Sequence, residues 1–189
     1  KTTRLLDIVE EEINNGTAID RIGYFAFTKK AAREAVKRAM VKFNLEKKEF
    51  TYFRTLHSLA YNHLNLKSSD VMGDKQYQEV SDWLQLKLYN PNKSVDELGV
   101  SIPKDIYINL IDKSKIQGVS LENQFVRSGI HVDGGFDKLN YVDKGLKQFK
   151  KRHNLFDYTD MILEFIEKNN APKLDVVIID EAQDLSLIQ

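Results

Sequence analysis

Residues 176–189 read VVIIDEAQDLSLIQ and open with four consecutive β-branched side chains, Val176 to Ile179. An unbroken apolar run without alternation predicts a strand buried on both faces, as in a parallel sheet. Asp180 and Glu181 follow where this strand should end, and ligands of open α/β sheets bind outside the carboxyl ends of strands. The first acid could hold Mg²⁺, and the second could polarise a water beside a nucleotide γ-phosphate.

The residues that follow Asp180 and Glu181 decide between two interpretations of this segment. An apolar run followed by Asp-Glu also describes a strand that simply ends in solvated acids. Gln183 and Asp184 argue against that interpretation, because the whole string DEAQD resembles the nucleotide-hydrolysis motif of superfamily 1 helicases. In that family the glutamine also contacts the γ-phosphate and the attacking water.

The N-terminal segment agrees with a nucleotide site. It predicts a helix, ended by Gly16, with an apolar face formed by Leu5, Leu6, Ile8, Val9 and Ile13. A phosphate-binding loop ends in Gly-Lys-Ser/Thr and leads directly into such a helix, so Lys1 and Thr2 resemble the last two residues of that motif. Lys1 would reach the β- and γ-phosphates, and Thr2 would offer its hydroxyl to Mg²⁺. The glycines and the strand that should precede Lys1 are absent, so we expect the polypeptide to extend upstream.

Composition limits the classes of function. A length of 189 residues suits one domain with an insertion, or two small domains. No apolar run reaches membrane-spanning length, no secretory signal is visible, and the absence of cysteine excludes disulfides and thiolate metal sites. Basic and acidic residues number 28 each, so any binding of nucleic acid must use local patches. We expect no membrane partner and a cytoplasmic setting, in a bacterium or for a phage protein in its bacterial host.

Further strands and helices are predicted on both sides of a central stretch. Strands are predicted over 22–28 and 50–54, and helices over 29–43, 59–66 and 156–168. Residues 55–58 lie between the strand predicted over 50–54 and the helix predicted over 59–66. Alternating strands and helices of this kind predict an α/β domain with a parallel sheet.

The central stretch has a different character. Helical patterns occur over 77–89, 104–117 and 137–151, with turn signals between them and no β-rich run. Trp83, Leu84, Leu110, Leu146 and Phe149 lead their apolar stripes. We therefore predict an α-helical subdomain, residues 67–154, inserted into an α/β domain formed by residues 1–66 and 155–189.

The order of the motifs carries a family resemblance. Residues 26–34 (AFTKKAARE) resemble the Phe-Thr-Asn-Lys-Ala-Ala-Arg-Glu segment of UvrD, PcrA and Rep helicases, although Lys29 stands where asparagine is usual. Residues 55–58 (TLHS) resemble their Thr-Phe-His-Ser segment, and residues 154–162 resemble the segment before their acidic strand. The chain thus resembles the first RecA-like motor domain of a UvrD-like DNA helicase. The resemblance implies a RecA-like P-loop NTPase with a parallel sheet and an inserted α-helical subdomain.

The resemblance implies a site for ATP and Mg²⁺. Its implied members are Lys1, Thr2 and Thr3 at the phosphates, Thr2 and Asp180 at Mg²⁺, Glu181 as general base, and Gln183 as the residue that couples water to DNA. A second RecA-like domain of the same polypeptide would supply arginines at the γ-phosphate, which contribute about 10³–10⁵ in rate. We therefore expect the 189 residues alone to bind nucleotide poorly and not to hydrolyse it.

The resemblance also implies a site for single-stranded DNA at the strand ends, formed by Phe27, Thr28, Thr55, His57 and Ser58. Phe27 would stack on a base; the alternative is a core phenylalanine, since strand residues are usually buried. Thr28 could cap the following helix or donate to a phosphate, and Thr55 and Ser58 are similar. His57 could donate to a phosphate or be a satisfied histidine at a helix start.

A second basic stretch lies in the predicted insertion. It consists of Lys147, Lys150, Lys151 and Arg152. It could be a solvated helix face or a contact to the duplex junction.

Four functions are compatible with these residues. The preferred one is an ATP-dependent helicase motor that moves on single-stranded DNA. A helicase-nuclease subunit of the RecB or AddA kind shares the motifs, and a nuclease domain beyond residue 189 would identify it. A third candidate is a nucleic-acid-binding module that no longer hydrolyses ATP, and intact glycines before Lys1 would argue against it. An unrelated P-loop ATPase would have no nucleic-acid role, and residues 27–28 and 55–58 argue against it.

Overall fold

The computed structural model describes residues 2–91, 105–169, 171–186 and 188. The chain divides into two compact units, one formed by residues 1–65 with 161–189 and the other by residues 66–160. Lys1, which the sequence places at the phosphates, lies outside the described residues. No helix within the described ranges is long and apolar enough to span a membrane.

The first unit is an α/β fold built on a parallel sheet, as predicted. Its elements are α1 (Thr2–Asn14), β1 (Ile22–Ala26), α2 (Lys29–Phe43), β2 (Phe53–Arg54), α3 (Leu56–His63) and β3 (Val176–Asp180). In the described part of the chain the strand order is β2-β1-β3, and both neighbouring pairs are parallel. Parallel pairing brings the carboxyl ends of the strands to the same edge of the sheet.

β1 is the buried centre of this sheet. All five of its residues are buried, as the unbroken apolar pattern predicts. Tyr24 stacks on Phe53 of β2 with ring centroids 5.3 Å apart. A Cβ on Gly23 would lie 2.7 Å from the Leu174 side chain, so a larger residue here would require that side chain to move. The buried face of α2, formed by Ala32, Ala35, Val36 and Ala39, belongs to the same core.

β3 departs from its predicted environment. The prediction of a strand buried on both faces is wrong, because Val177 is 55% exposed and Ile179 is 39% exposed. Side chains alternate between the faces of a strand, and only the face carrying Ile178 and Asp180 is covered by described residues. Ile8, expected on the buried face of α1, is likewise exposed at 39%.

The second unit is helical in its described part. Its helices are α4 (Asp74–Leu84), α5 (Ile106–Gln117), α6 (Leu121–Ser128) and α7 (Gly135–His153), followed by α8 (Tyr158–Lys168), which continues into the first unit along the chain. Its core contains Val80, Leu110, Leu139, Val142, Leu146 and Phe149. Gly145 allows α7 to lie close to α4, since a Cβ there would be 2.5 Å from Leu84. Trp83, predicted for the apolar stripe of α4, is 47% exposed.

A buried ionic network lies within this helical unit. The Lys150 ammonium is 2.6 Å from Asp157 and also pairs with Asp160. Lys115 is 2.8 Å from Asp160 and 3.2 Å from Asp157. Burial alone would raise the pKa of Asp157, but the charges of Lys150 and Lys115 outweigh it and hold that pKa well below its usual range. Lys150, expected on a solvated or duplex-contacting face, is therefore an internal counter-ion.

Candidate functional site

The predicted site residues of the first unit meet at one edge of the sheet. Ala26, the last residue of β1, is paired with Asp180, the last residue of β3. Phe27 therefore leaves the sheet beside Glu181. β2 pairs in parallel on the other side of β1, so Thr55 leaves the sheet at the same edge. The structure thus brings together segments that are more than 120 residues apart in sequence.

Asp180 has one satisfied and one unsatisfied carboxylate oxygen. The side chain is buried, and Oδ2 accepts a 3.1 Å hydrogen bond from the Tyr24 hydroxyl. Oδ1 is buried without a hydrogen-bond partner. Leaving a buried acceptor unpaired costs about 1–3 kcal/mol, and more for a charged group. A ligand that supplies positive charge or a donor at Oδ1 would remove this cost.

Mg²⁺ fits that requirement. It is bound in proteins by one or two carboxylates together with waters and substrate phosphates, rather than by a cage of protein ligands. No group of three or more His, Cys, Asp or Glu residues that could hold a metal occurs among the residues described. The unpartnered oxygen of Asp180 is compatible with a Mg²⁺ ligand of this kind.

Tyr24 is a member of this site that the sequence analysis missed. Burial raises the pKa of its phenol, and the charge of Asp180 and the hydrogen bond to it act in the same direction. The hydroxyl therefore stays protonated and donates to Asp180. The Thr2 side chain has a hydrogen-bonding interaction with the same phenol, so α1 also reaches this end of the site. Thr3, its neighbour, is exposed. A tyrosine in a fully buried strand needs a polar partner, which was an available signal.

Glu181 has an unusual backbone conformation. Its φ and ψ are 60° and 47°, in the left-handed region that residues with a Cβ rarely adopt. Such strain is concentrated at functional sites, where the surrounding structure holds it. Gln183, in the short 3₁₀ turn Ala182–Asp184, donates from Nε2 to Glu181 Oε2 over 2.5 Å. The two residues predicted to be catalytic are thus in contact.

Phe27 lies outside the hydrophobic core. Its side chain is 51% exposed, so the alternative of a core phenylalanine does not hold. It directly follows β1 at the edge that also carries Asp180. An exposed aromatic ring at a strand end offers a flat apolar surface to a ligand.

Two of the predicted phosphate contacts are helix caps. Thr28 caps α2, and its Oγ1 accepts from the backbone of Ala31 over 3.1 Å. Thr55 caps α3 and accepts from the backbone of Ser58 over 3.2 Å. A hydroxyl that accepts in a cap still carries a proton that it can donate. Capping and donation to an anion are therefore compatible.

His57 follows Thr55 in the first turn of α3 and is partly buried. Burial lowers the pKa of its imidazole, and the nearby charge of Lys29 acts in the same direction. A histidine with a lowered pKa is neutral at physiological pH, so it offers an anion one N–H donor and no charge.

Comparison of the sequence with models of known protein families gives a match over the whole chain. The model described as UvrD/REP helicase N-terminal domain covers residues 1–189. Comparison with curated protein sequences gives no match. The match therefore rests on the pattern that the family shares, and not on similarity to one characterised protein.

Proposed function

Because the chain belongs to the UvrD/REP helicase N-terminal domain family, we propose that this superfamily 1 helicase motor couples Mg-ATP hydrolysis to movement on single-stranded DNA. The carrying observation is the edge of the sheet where Asp180 and Glu181 lie beside the exposed ring of Phe27. In this proposal residues 1–65 and 161–189 form the RecA-like motor domain, and residues 66–160 form its inserted helical subdomain. The partners are single-stranded DNA with its duplex junction and a second RecA-like domain of the same polypeptide.

The nucleotide side of the proposal assigns a task to each acidic residue. Asp180 holds Mg²⁺ through Oδ1, while the hydrogen bond from Tyr24 fixes its other oxygen. Thr2 offers its hydroxyl from the start of α1, and Lys1 and Thr3 contact the phosphates. When bound, Mg²⁺ would supply positive charge that balances the negative charge of the phosphates. The protein supplies the orientation of the carboxylate.

Glu181 acts as general base in this proposal. Its left-handed backbone aims the carboxylate away from the direction that a regular strand would give it. The amide of Gln183 donates to the Glu181 carboxylate and so orients the group that would accept a proton from water. Gln183 also lies on the exposed turn, where a change at the γ-phosphate can reach the DNA surface.

The DNA side uses the strand-end residues around Phe27. The exposed ring stacks on a base, and the cap hydroxyls of Thr28 and Thr55 donate to phosphates. Ser58 and the neutral imidazole of His57 add donors from the first turn of α3. Stacking and backbone contacts of this kind bind single strands with little sequence preference.

Replacing Phe27 by alanine is expected to weaken binding of oligothymidine by about 1–3 kcal/mol, the range measured for base–aromatic stacking. Fluorescence anisotropy measures the affinity, and thermal melting should change little because the ring is half exposed. Val41→Ala is the matched control, since Val41 is 86% exposed on the neighbouring helix. Normal DNA affinity together with a lowered melting temperature would assign Phe27 to the fold instead.

The proposal as a whole is tested by phosphate release. The protein used joins this chain to a phosphate-binding glycine loop and a second RecA-like domain. Hydrolysis should require Mg²⁺ and rise when single-stranded DNA is added. A rate of ATP hydrolysis that does not change when DNA is added would favour a P-loop ATPase without a nucleic-acid role. DNA binding without hydrolysis would favour a binding module.

A further inference from the structure

A groove runs along α2 in the first unit. Its volume is about 1080 Å³, and its other wall is formed by Lys47 and Lys48 of a 3₁₀ turn, by β2 and by the start of α3. It is lined by Lys29, Ala32, Arg33, Val36, Lys37, Met40, Lys47, Lys48, Phe50, Thr51, Phe53, Arg54, Thr55 and Ser58. Thr55 and Ser58 line the groove, and both belong to the proposed DNA surface. The groove and that surface therefore share residues.

The charge of the groove is of one sign. Six lining residues are cationic: Lys29, Arg33, Lys37, Lys47, Lys48 and Arg54. Among the residues that the structure describes, no aspartate or glutamate lines the groove, although the whole chain carries equal numbers of basic and acidic residues. Within the described ranges, only Lys48 among the six has a salt bridge, to Glu46. A cluster of six cations without lining carboxylates creates a local positive potential that attracts an anionic ligand.

Arg54 gives this groove a second, independent feature. Its Nε is buried and has no hydrogen-bond partner. Burial lowers the pKa of its guanidinium, because the charged form is less favourable away from water. A guanidinium stays charged in proteins, so the cost is not removed by loss of a proton. An anion in the groove would supply the missing partner.

The cations on α2 form a regular row. Lys29, Arg33 and Lys37 are spaced by four residues, which places them on one face of the helix over about 12 Å. All three residues are exposed to solvent. A row of point charges matches a ligand whose negative charges repeat along its length, which describes a nucleic-acid backbone better than a single phosphate.

We propose that this groove binds the phosphate backbone of a single nucleic-acid strand, which continues into it from Thr55 and Ser58. The inference rests on the proposed function and extends it, since the path of the DNA strand then reaches beyond Thr55 and Ser58 to Arg54. An acidic peptide is the competing occupant. The negative charges of an acidic peptide need not extend to the strand-end surface, so poly-glutamate is tested as a separate probe.

The experiment uses the 189-residue chain and fluorescent oligothymidines of about 4 and about 16 nucleotides, the range of single-strand site sizes in known folds. Three variants are compared. Arg33→Ala with Lys37→Ala removes two cations from the groove. Lys168→Ala with Lys173→Ala removes two exposed cations of the same unit away from the groove. Arg54→Met removes the buried guanidinium while keeping side-chain length.

For the variant with both Arg33→Ala and Lys37→Ala, we expect the slope of log K (the association constant for DNA) against log salt concentration to decrease in magnitude by about 1.4. Each phosphate contact of a single strand contributes about 0.7 to that slope. This loss should appear with the long oligonucleotide and be much smaller with the short one. The control variant should have the same slope of log K against log salt concentration as the wild type. Arg54→Met should weaken binding of the long oligonucleotide at least 5-fold, an effect of about 1 kcal/mol. The variant protein should melt at an unchanged or higher temperature, because the substitution removes an unpaired buried polar group.

Other results would overturn the inference in distinguishable ways. If Phe27→Ala weakens binding but the groove variants match the control, the groove does not bind DNA and the proposed function stands. If the groove variants weaken binding but Phe27→Ala does not, the stacking role fails and the groove stands. If poly-glutamate binds in a groove-dependent way and oligothymidine does not, the occupant is an acidic protein segment. Absence of oligothymidine binding at low salt would refute both.

Discussion

Replacing Glu181 by glutamine is expected to lower the ATP turnover number by at least about 100-fold, since a positioned general base contributes about 10²–10⁴ in rate. Glutamine has nearly the same shape but cannot take a proton from water at neutral pH. ATP binding should be largely kept, because phosphate and Mg²⁺ contacts are assigned to other residues. The measurement is steady-state phosphate release by the protein that contains both motor domains, together with nucleotide affinity by isothermal titration.

The control for this substitution is Glu167→Gln. Glu167 is an exposed carboxylate on α8, so its loss changes the net charge by the same amount without touching the sheet edge. Turnover of this variant should equal that of the wild type. An unchanged turnover number for Glu181→Gln would remove Glu181 from the role of base, even if the protein proved to be a helicase.

Replacing Lys150 by methionine is expected to lower the free energy of unfolding of the helical unit by about 3–5 kcal/mol, the cost of leaving a buried charge without its partner. Lys150 is 7% exposed and pairs with both Asp157 and Asp160, so the variant leaves two carboxylates with only Lys115. Urea unfolding measures the loss. The single tryptophan of the chain, Trp83, lies in this unit and reports its unfolding by fluorescence.

A matched lysine on the same helix provides the control. Lys147 pairs with Asp143 over 2.7 Å, but its side chain is 62% exposed. Exposed pairs contribute about 0–1 kcal/mol, so Lys147→Met should change the free energy of unfolding by no more than that. Equal effects of the two substitutions would show that the network does not stabilise the fold through buried charge.

The effect of Lys150→Met should also depend on pH. The lysines hold the pKa of Asp157 below its unfolded value of about 3.9, so their contribution is complete above that pH and is lost as the pH falls through the folded pKa. The difference between wild type and variant should therefore narrow below about pH 4. A difference that stays constant down to pH 3 would contradict the electrostatic origin.

Local pattern was sufficient to predict much of the fold. α2 begins and ends where its apolar stripe predicts, because Thr28 caps its start and Asn44 ends it in the left-handed conformation. β1 is buried throughout because its apolar run is the centre of the sheet. In both elements the local preference and the tertiary environment agree.

Features that depend on distant neighbours could not be predicted in the same way. The exposure of Val177 depends on which elements cover β3, and its apolar run carries no information about them. The burial of Lys150 depends on two carboxylates beyond the end of its own helix: Asp157, directly before α8, and Asp160, in the first turn of α8. The cationic groove requires α2 and β2 to lie side by side, so a chain with zero net charge concealed it.

The buried hydroxyl of Tyr24 gives the proposed motor a thermodynamic property. Tyr24 and Phe27 are three residues apart, about 10 Å along the chain. Tyr24 contacts Asp180, and the exposed Phe27 belongs to the proposed DNA surface. Any free-energy coupling between nucleotide and DNA that passes through this segment must be reciprocal: the factor by which nucleotide changes DNA affinity equals the factor by which DNA changes nucleotide affinity. Tyr24→Phe, which removes the bond to Asp180 and keeps the ring, would reduce both factors equally.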